Sequence, residues 1–298
     1  MRKIICIFLI FIAIINICQN KISSLQKPTQ PLASIVITSY NRTQLLQRAI
    51  NSAINQTYKN IEIIIVDDGS NQKTLDILKN LEKSDTRINV VLLPKNSGTA
   101  AFPRAVGNSV AKGKYITTLD SDDILMPEMV EKAVNYMEKN KHITLLRVET
   151  RHYNSGEDPF TQNWLHIFPL YNLLFHSIGQ GGFVFRREFI EKHNIFPNPT
   201  MHCSEDWDFT SKMLIQKANF AHLYGSPLYI IRYHNENAYN DCSANNDTIF
   251  TNILTTLTLD KQQISNCEIF KKAIEFNPNI FDEKTKIAGL KNLCQENK

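Results

Sequence analysis

A chain of 298 residues, 43% of them hydrophobic, has enough apolar side chain for one large α/β domain or two small ones. The formal net charge of +4 is mild and gives no basic face of the kind nucleic acid requires. Six cysteines with no Cys-x-x-Cys pair argue against a zinc site.

The N-terminus stands apart. Arg2 and Lys3 precede an unbroken apolar run from Ile4 to Ile15, which Ile17 and Cys18 extend past Asn16. That is the layout of a secretory signal or a short signal anchor. The run is shorter than the roughly 20 residues that span a bilayer, which favours cleavage, yet no small-x-small cleavage site follows. Residues 1–27 are therefore set apart from the folded domain. The cationic end favours a cytoplasmic N-terminus, so residues 4–18 would lead the domain into a secretory lumen or hold it at a membrane. In a bacterium the same leader would tether a cytoplasmic domain. In the luminal case Asn55-Gln56-Thr57 and Asn246-Asp247-Thr248 would be glycosylation acceptors. Cys203, Cys242, Cys267 and Cys294 would form up to two disulfides in any of three connectivities, or stay as free thiols.

Pro28 and Pro31 mark a linker. Ser34–Ser39 then reads as a short, nearly continuous apolar strand, the pattern of a strand covered on both faces. Leu45–Ile54 has helical spacing, Ile61–Val66 is a second buried strand, and Leu75, Ile77, Leu78 and Leu81 mark a second helix. Ile88–Leu93 is a third strand, stopped by Pro94. Ala100–Ala111 suits a helix whose regular part follows Pro103. Tyr115–Leu119 is a fourth strand, and Pro127 opens a helix over Glu128–Lys139 from the favoured N1 position. Alternating strands and helices predict βαβ units and a mostly parallel sheet flanked by helices. Beyond Ile143 the pattern loosens. Residues 151–180 are irregular and aromatic, Gly181-Gly182 leads into a strand at Phe183–Phe185, and Ser204 is placed to cap a helix through Lys217 with acidic residues in its first turn. Phe220–Tyr224 and Leu228–His234 read as late strands. Residues 28–240 form the predicted domain, and 241–298 a helical C-terminal extension.

In parallel sheets ligands bind beyond the carboxyl ends of the strands. Three polar clusters fall there: Thr38-Ser39-Tyr40-Asn41, Asp67-Asp68-Gly69-Ser70 and Asp120-Ser121-Asp122-Asp123. Extended chain points alternate side chains the same way, so Asp120 and Asp122 would share one space. Converging carboxylates repel unless a cation sits between them, and Mg²⁺ or Mn²⁺ is commonly held by one or two carboxylates plus substrate phosphates. A metal–phosphate site at the end of the fourth strand is the expectation.

Over residues 33–236 the chain resembles the family 2 glycosyltransferases, enzymes of the GT-A fold. The ordered elements that carry the resemblance are Ser34–Arg42, Ser52–Tyr58, Glu62–Ser70, Asn96-Ser97-Gly98 with Arg104, Ala111–Asp123, Gly182, Glu205-Asp206 and Arg232-Tyr233-His234. The resemblance implies an inverting, non-processive transfer of one sugar from a nucleotide-diphosphate sugar, a UDP-sugar by expectation. The acceptor would be a hydroxyl on a glycan, lipid or protein. It implies that Thr38 and Tyr40 line the nucleoside pocket and that Asp67 or Asp68 accepts a hydrogen bond from the base. Arg104 would lie near the nucleotide, and Asp120 on the ribose or donor sugar. Asp122 and His234 would bind Mn²⁺ or Mg²⁺, Arg232 would lie beside the diphosphate, and Asp206 would be the catalytic base. Where family members usually have Arg-Asn this chain has Arg104-Ala105, so a donor contact is in question. No Gln-x-x-Arg-Trp motif of the processive polymerases occurs, nor the long apolar spans of membrane-embedded synthases.

Rival classes fare worse. A nicotinamide-dependent enzyme needs Gly-x-Gly-x-x-Gly after the first strand, where this chain has Thr38–Arg42. A nucleotidyltransferase leaves Glu205-Asp206 without a task. A non-catalytic nucleotide-sugar or carbohydrate-binding protein on the same fold is the stronger alternative.

Overall fold

Ile35, Val36 and Ile37 are all fully buried because each side of their strand has its own core. Ile35 and Ile37 pack into one hydrophobic cluster with Leu46, Ala49, Ile50 and Leu78, while Val36 enters a second with Ile64, Val66, Phe209 and Met213. Period-two alternation between two apolar layers gives a continuous apolar run, as a sheet sandwiched between helices requires. The computed structural model describes residues 30–154, 181–199, 201 and 205–233. The chain divides into two units, Met1–Pro31 and Leu32–Lys298, and all the described strands and helices belong to the second.

The strands are β1 (Ala33–Ser39), β2 (Ile61–Asp67), β3 (Ile88–Leu92), β4 (Tyr115–Asp120), β5 (Ile124–Leu125), β6 (Leu145–Val148), β7 (Thr150–Asn154), β8 (Phe183–Arg186), β9 (Phe220–Leu223) and β10 (Tyr229–Tyr233). The helices are α1 (Thr43–Ile54), α2 (Gln72–Ser84), α3 (Ala101–Val110), α4 (Met129–Lys139), α5 (Arg187–Lys192) and α6 (Glu205–Ile215). A seven-stranded sheet runs β3-β2-β1-β4-β8-β6-β9, and a three-stranded sheet runs β5-β10-β7. Strands β3, β2, β1 and β4 are mutually parallel, and β8 enters antiparallel between β4 and β6. The mostly parallel α/β architecture read from the sequence is the one observed.

Several boundaries differ for physical reasons. Helix α3 begins at Ala101, so Pro103 lies inside its first turn, where a backbone N–H has no helical partner to lose. Pro127 stands before Glu128, the N-cap of α4, rather than at N1, and its carbonyl accepts the Thr57 N–H at 2.8 Å. Helix α6 stops at Ile215 because Lys217 turns left-handed at φ 63°, with the Ala218 N–H closing on the Met213 carbonyl at 2.9 Å, a Schellman-type end. Strands β5, β6 and β7 and helix α5 were not legible: Arg147 and Glu149 interrupt the apolar pattern, yet both are buried. The leader, residues 155–180, Ser204, the four cysteines of the last third, His234 and the expected C-terminal helices lie outside the described residues. Among the described residues no helix is long and apolar enough to cross a membrane.

Candidate active site

The order β2-β1-β4 brings the three polar clusters to one edge. Ser39 is in register with Asp67 and Thr38 with Asp120. Asn41 ties the first two clusters together from a left-handed conformation (φ 52°) that Asn tolerates better than most residues. Its N–H donates to Ser70 Oγ at 2.9 Å, and its Oδ1 accepts from the Asn71 N–H at 2.8 Å. Tyr40 projects beside them, 46% exposed. Asp67 and Asp68 are both buried but differ in commitment. Asp68 accepts from the Ser97 N–H at 3.0 Å and from Ser97 Oγ at 2.9 Å. Asp67 accepts from the Ser70 N–H at 2.9 Å through Oδ2, while its buried Oδ1 has no donor among the described residues.

The acidic segment is a turn, not a continuation of β4. The Asp123 N–H closes on the Asp120 carbonyl at 3.1 Å. The alternation expected to aim Asp120 and Asp122 together therefore ends at Asp120, and the two carboxylates meet different cations. Asp120 accepts from Arg104 Nη2 at 2.5 Å, and Asp122 pairs with Arg42 Nη1. Asp123 turns inward, where its Oδ1 accepts the Arg232 N–H at 2.9 Å and its carboxyl also hydrogen-bonds the Tyr229 hydroxyl. Burial, then the charges of Asp120 and Asp122, raise the Asp123 pKa well above the carboxylate range. Arg232 thus serves this turn through its backbone.

Arg104 is the hub. It projects from α3, is 5% exposed, and pairs with Asp120 through Nη2 and with Glu205 through Nη1. Burial alone works against its charge, but Asp120 and Glu205 outweigh it and keep the guanidinium protonated. One guanidinium thus joins the end of β4 to the start of α6. Helix α3 comes close enough for this because Gly107 faces the sheet: a Cβ there would overlap Val36 Cγ1 and stand 3.2 Å from Val66 Cγ2. Asp206 follows Glu205 in the first turn of α6, with its Oδ1 accepting the Trp207 N–H at 2.7 Å. Burial, then the Glu205 charge, push its pKa up to about 7 against the opposing pull of Arg104 and the Trp207 N–H, while Asp120 adds to the rise. Asp206 is therefore a carboxyl poised to take a proton near neutral pH.

The structure brings Thr38, Asp67, Asp120, Asp122, Arg104, Asp206 and Arg232 to this region. It turns Asp68 toward Ser97, and His234 lies outside the described residues. Sequence reasoning gave no role to Arg42, Glu205, Asn108 or Tyr229. The first two lie inside the family-like motifs, whereas Asn108 and Tyr229 gave no signal. Acidic side chains outnumber the guanidiniums of Arg42 and Arg104, and Asp122 already holds a cationic group, so the donor set suits a hard divalent ion. Among the described residues no three His, Cys, Asp or Glu side chains converge as a cage. The mode available is one carboxylate plus diphosphate oxygens.

A family model described as "Glycosyl transferase family 2" matches residues 34–204. The chain belongs to glycosyl transferase family 2. It is similar to an uncharacterized glycosyltransferase of Haemophilus influenzae, at 33% identity over 196 residues, 61% of this chain and 60% of that protein. The chain thus spans about three-fifths of that relative's length. Among solved structures, Staphylococcus aureus TarS 1-349 in complex with UDP-GlcNAc superposes with a TM-score of 0.68 at 17% identity, over 88% of this chain and 80% of that one. The mannosyltransferase PcManGT of Pyrobaculum calidifontis, in complex with GDP-Man and Mn²⁺, gives 0.62 at 13% identity, over 92% and 80%. These superpositions show the GT-A fold.

Proposed function

We propose that this family 2 chain is an inverting glycosyltransferase that moves one hexosyl or N-acetylhexosaminyl unit from a nucleotide-diphosphate sugar, a UDP-sugar first, to an acceptor hydroxyl. The observation that carries the reading is that Arg104, paired with Asp120 and with Glu205, ties the end of β4 to the turn of α6 that holds Asp206. A buried carboxyl tuned toward neutrality stands beside the acidic edge of the nucleotide-type sheet. The UDP-GlcNAc bound to TarS and the GDP-Man bound to PcManGT support a nucleotide-sugar donor, and the Mn²⁺ of the latter supports a divalent ion.

The chain's own residues divide the work. Tyr40 and Thr38 border the nucleoside, and Asp67, which keeps an uncommitted carboxylate oxygen, accepts from the base. Asp120, held in place by Arg104, contacts the ribose or donor sugar. Asp206 takes the acceptor proton as the hydroxyl attacks the anomeric carbon opposite the leaving diphosphate, inverting its configuration. Holding both substrates in line lowers the entropic cost of the encounter. A divalent ion bound through Asp122 would neutralise charge on the diphosphate. Residues 4–18 would tether the domain to a membrane or lead it into a secretory lumen.

The test is release of free nucleotide by the full chain from a panel of nucleotide sugars, with Mn²⁺ or Mg²⁺ and simple acceptors, beside Asp206→Asn. Release from one donor, lost in Asp206→Asn while nucleotide binding persists, is the expected outcome. Near-native turnover by Asp206→Asn removes it as the base. Nucleotide binding with no release from any donor favours a binding protein.

A further inference from the structure

Asn108 lies one turn after Arg104 on the sheet-facing side of α3, a position where an apolar residue would be the ordinary choice. It is 3% exposed, and among the described residues neither its Oδ1 nor its Nδ2 has a hydrogen-bond partner. The Nε of Arg104 is likewise buried without a partner among the described residues, because that guanidinium commits its other nitrogens to Asp120 and Glu205. Buried polar atoms in native proteins are nearly always satisfied, by protein or by an ordered water. The residues that carry these orphans meet at one place: Arg104 and Asn108, with Asp206, Thr118 and Thr210, line a cavity of about 20 Å³ whose remaining wall is three phenylalanines and a proline. That is room for one water, with the side chains of Arg104, Asn108 and Asp206 among those around it.

We propose that Asn108 is a positioning residue for the Asp206 carboxylate, acting through one ordered water that accepts from Arg104 Nε–H, bonds to the Asn108 amide and donates to Asp206. This rests on the reading of Asp206 as the base. The water satisfies the buried orphans, and its donated hydrogen bond favours the charged carboxylate. It thereby opposes burial and the neighbouring acids. Among the described residues, charged groups facing Asp206 are Glu205 on its own helix, Arg104 on α3, Asp120 on β4 and Arg147 on β6. Asn108 works among them without a charge of its own. It holds the carboxylate in one orientation and restrains the rise of its pKa.

Asn108→Leu separates this role from a structural one. Leucine keeps the same branched heavy-atom skeleton, has the neighbouring cavity to take its bulkier methyls, and removes the unsatisfied amide, so the melting temperature should hold or rise. Activity should move the other way. The acid limb of the kcat–pH profile should shift upward by about one unit, the scale of one hydrogen bond to a charged group. Turnover below neutrality would then drop about tenfold with the donor KM unchanged. Asn108→Ser, which keeps a hydroxyl for the water, should restore most of the wild-type profile. An Asn108→Leu protein with the wild-type acid limb and kcat overturns the proposal. So does a high-resolution crystal structure of the full chain without a water between Asn108 and Arg104 Nε, and this second measurement needs no variant to fold. Asp206→Asn in the same assay keeps the failures apart. If it still turns over, the base reading falls; if it is dead while Asn108→Leu behaves as wild type, only this inference falls.

Discussion

Replacing Asp206 by Asn should make the protein more stable at high pH and not at low pH. The Asp206 carboxyl is pushed up to about 7 from an ordinary 3.8, with burial as the leading cause. Below pH 4 it is protonated in both folded and unfolded chains and contributes no penalty. Between pH 4 and 7 the unfolded chain releases the proton that the folded chain still holds, so stability falls as pH rises. Above 7 the full cost of ionising a buried acid is present. About three units correspond to roughly 4 kcal/mol, an upper figure because relaxation and water entry soften such penalties. Asparagine keeps an oxygen for the Trp207 N–H and never ionises, so the variant escapes the cost. Urea unfolding of both proteins at pH 4, 6 and 8 measures the difference, and the gap should open across that interval by up to a few kcal/mol. The amide's own packing cost shifts every pH equally, so only the slope matters. A pH-independent difference, or one that closes toward pH 8, would refute the electrostatic account. A gain in stability accompanied by lost turnover is the trade expected of a functional carboxyl held in an unfavourable setting.

Other perturbations test the frame around it. Arg104→Met leaves Asp120 and Glu205 without their shared cation and should destabilise by about 3–5 kcal/mol at pH 8, read as a lowered melting temperature. Arg104→Lys should recover only part of this, because one ammonium does not reproduce a fork that reaches two carboxylates. Gly107→Ala drives a Cβ into Val36 and should cost about 1–3 kcal/mol, with nucleotide affinity reduced as α3 lifts Arg104 from Asp120. Asp122→Ala should weaken nucleotide binding in the presence of Mn²⁺ and leave binding in chelator unchanged. Titration calorimetry showing the same loss in both conditions would take Asp122 out of the metal's reach.

The sequence by itself determined the α/β class, the parallel core strands and the edge on which chemistry would gather. Those are local properties. Ile35–Ile37 and Ile61–Val66 have no polar face, so they must be covered on both sides, and polar clusters that end such strands have only one edge to occupy. The ordered motifs put Asp122 and Asp206 forward as candidates. Tertiary structure decided how the charges are paired. That Asp120 and Asp122 part company depends on a turn bond from Asp123 and on guanidiniums arriving from α3 and from the loop after β1. No spacing rule could join Arg104 to Glu205 across 101 residues, because that contact exists only once α3 and α6 lie on the same face of the sheet. The burial of Arg147, Glu149 and Asn108 was hidden for a related reason. A polar residue in an apolar stretch reads as a break in the pattern, and whether it is a surface position or a buried partner depends on what the fold sets opposite it.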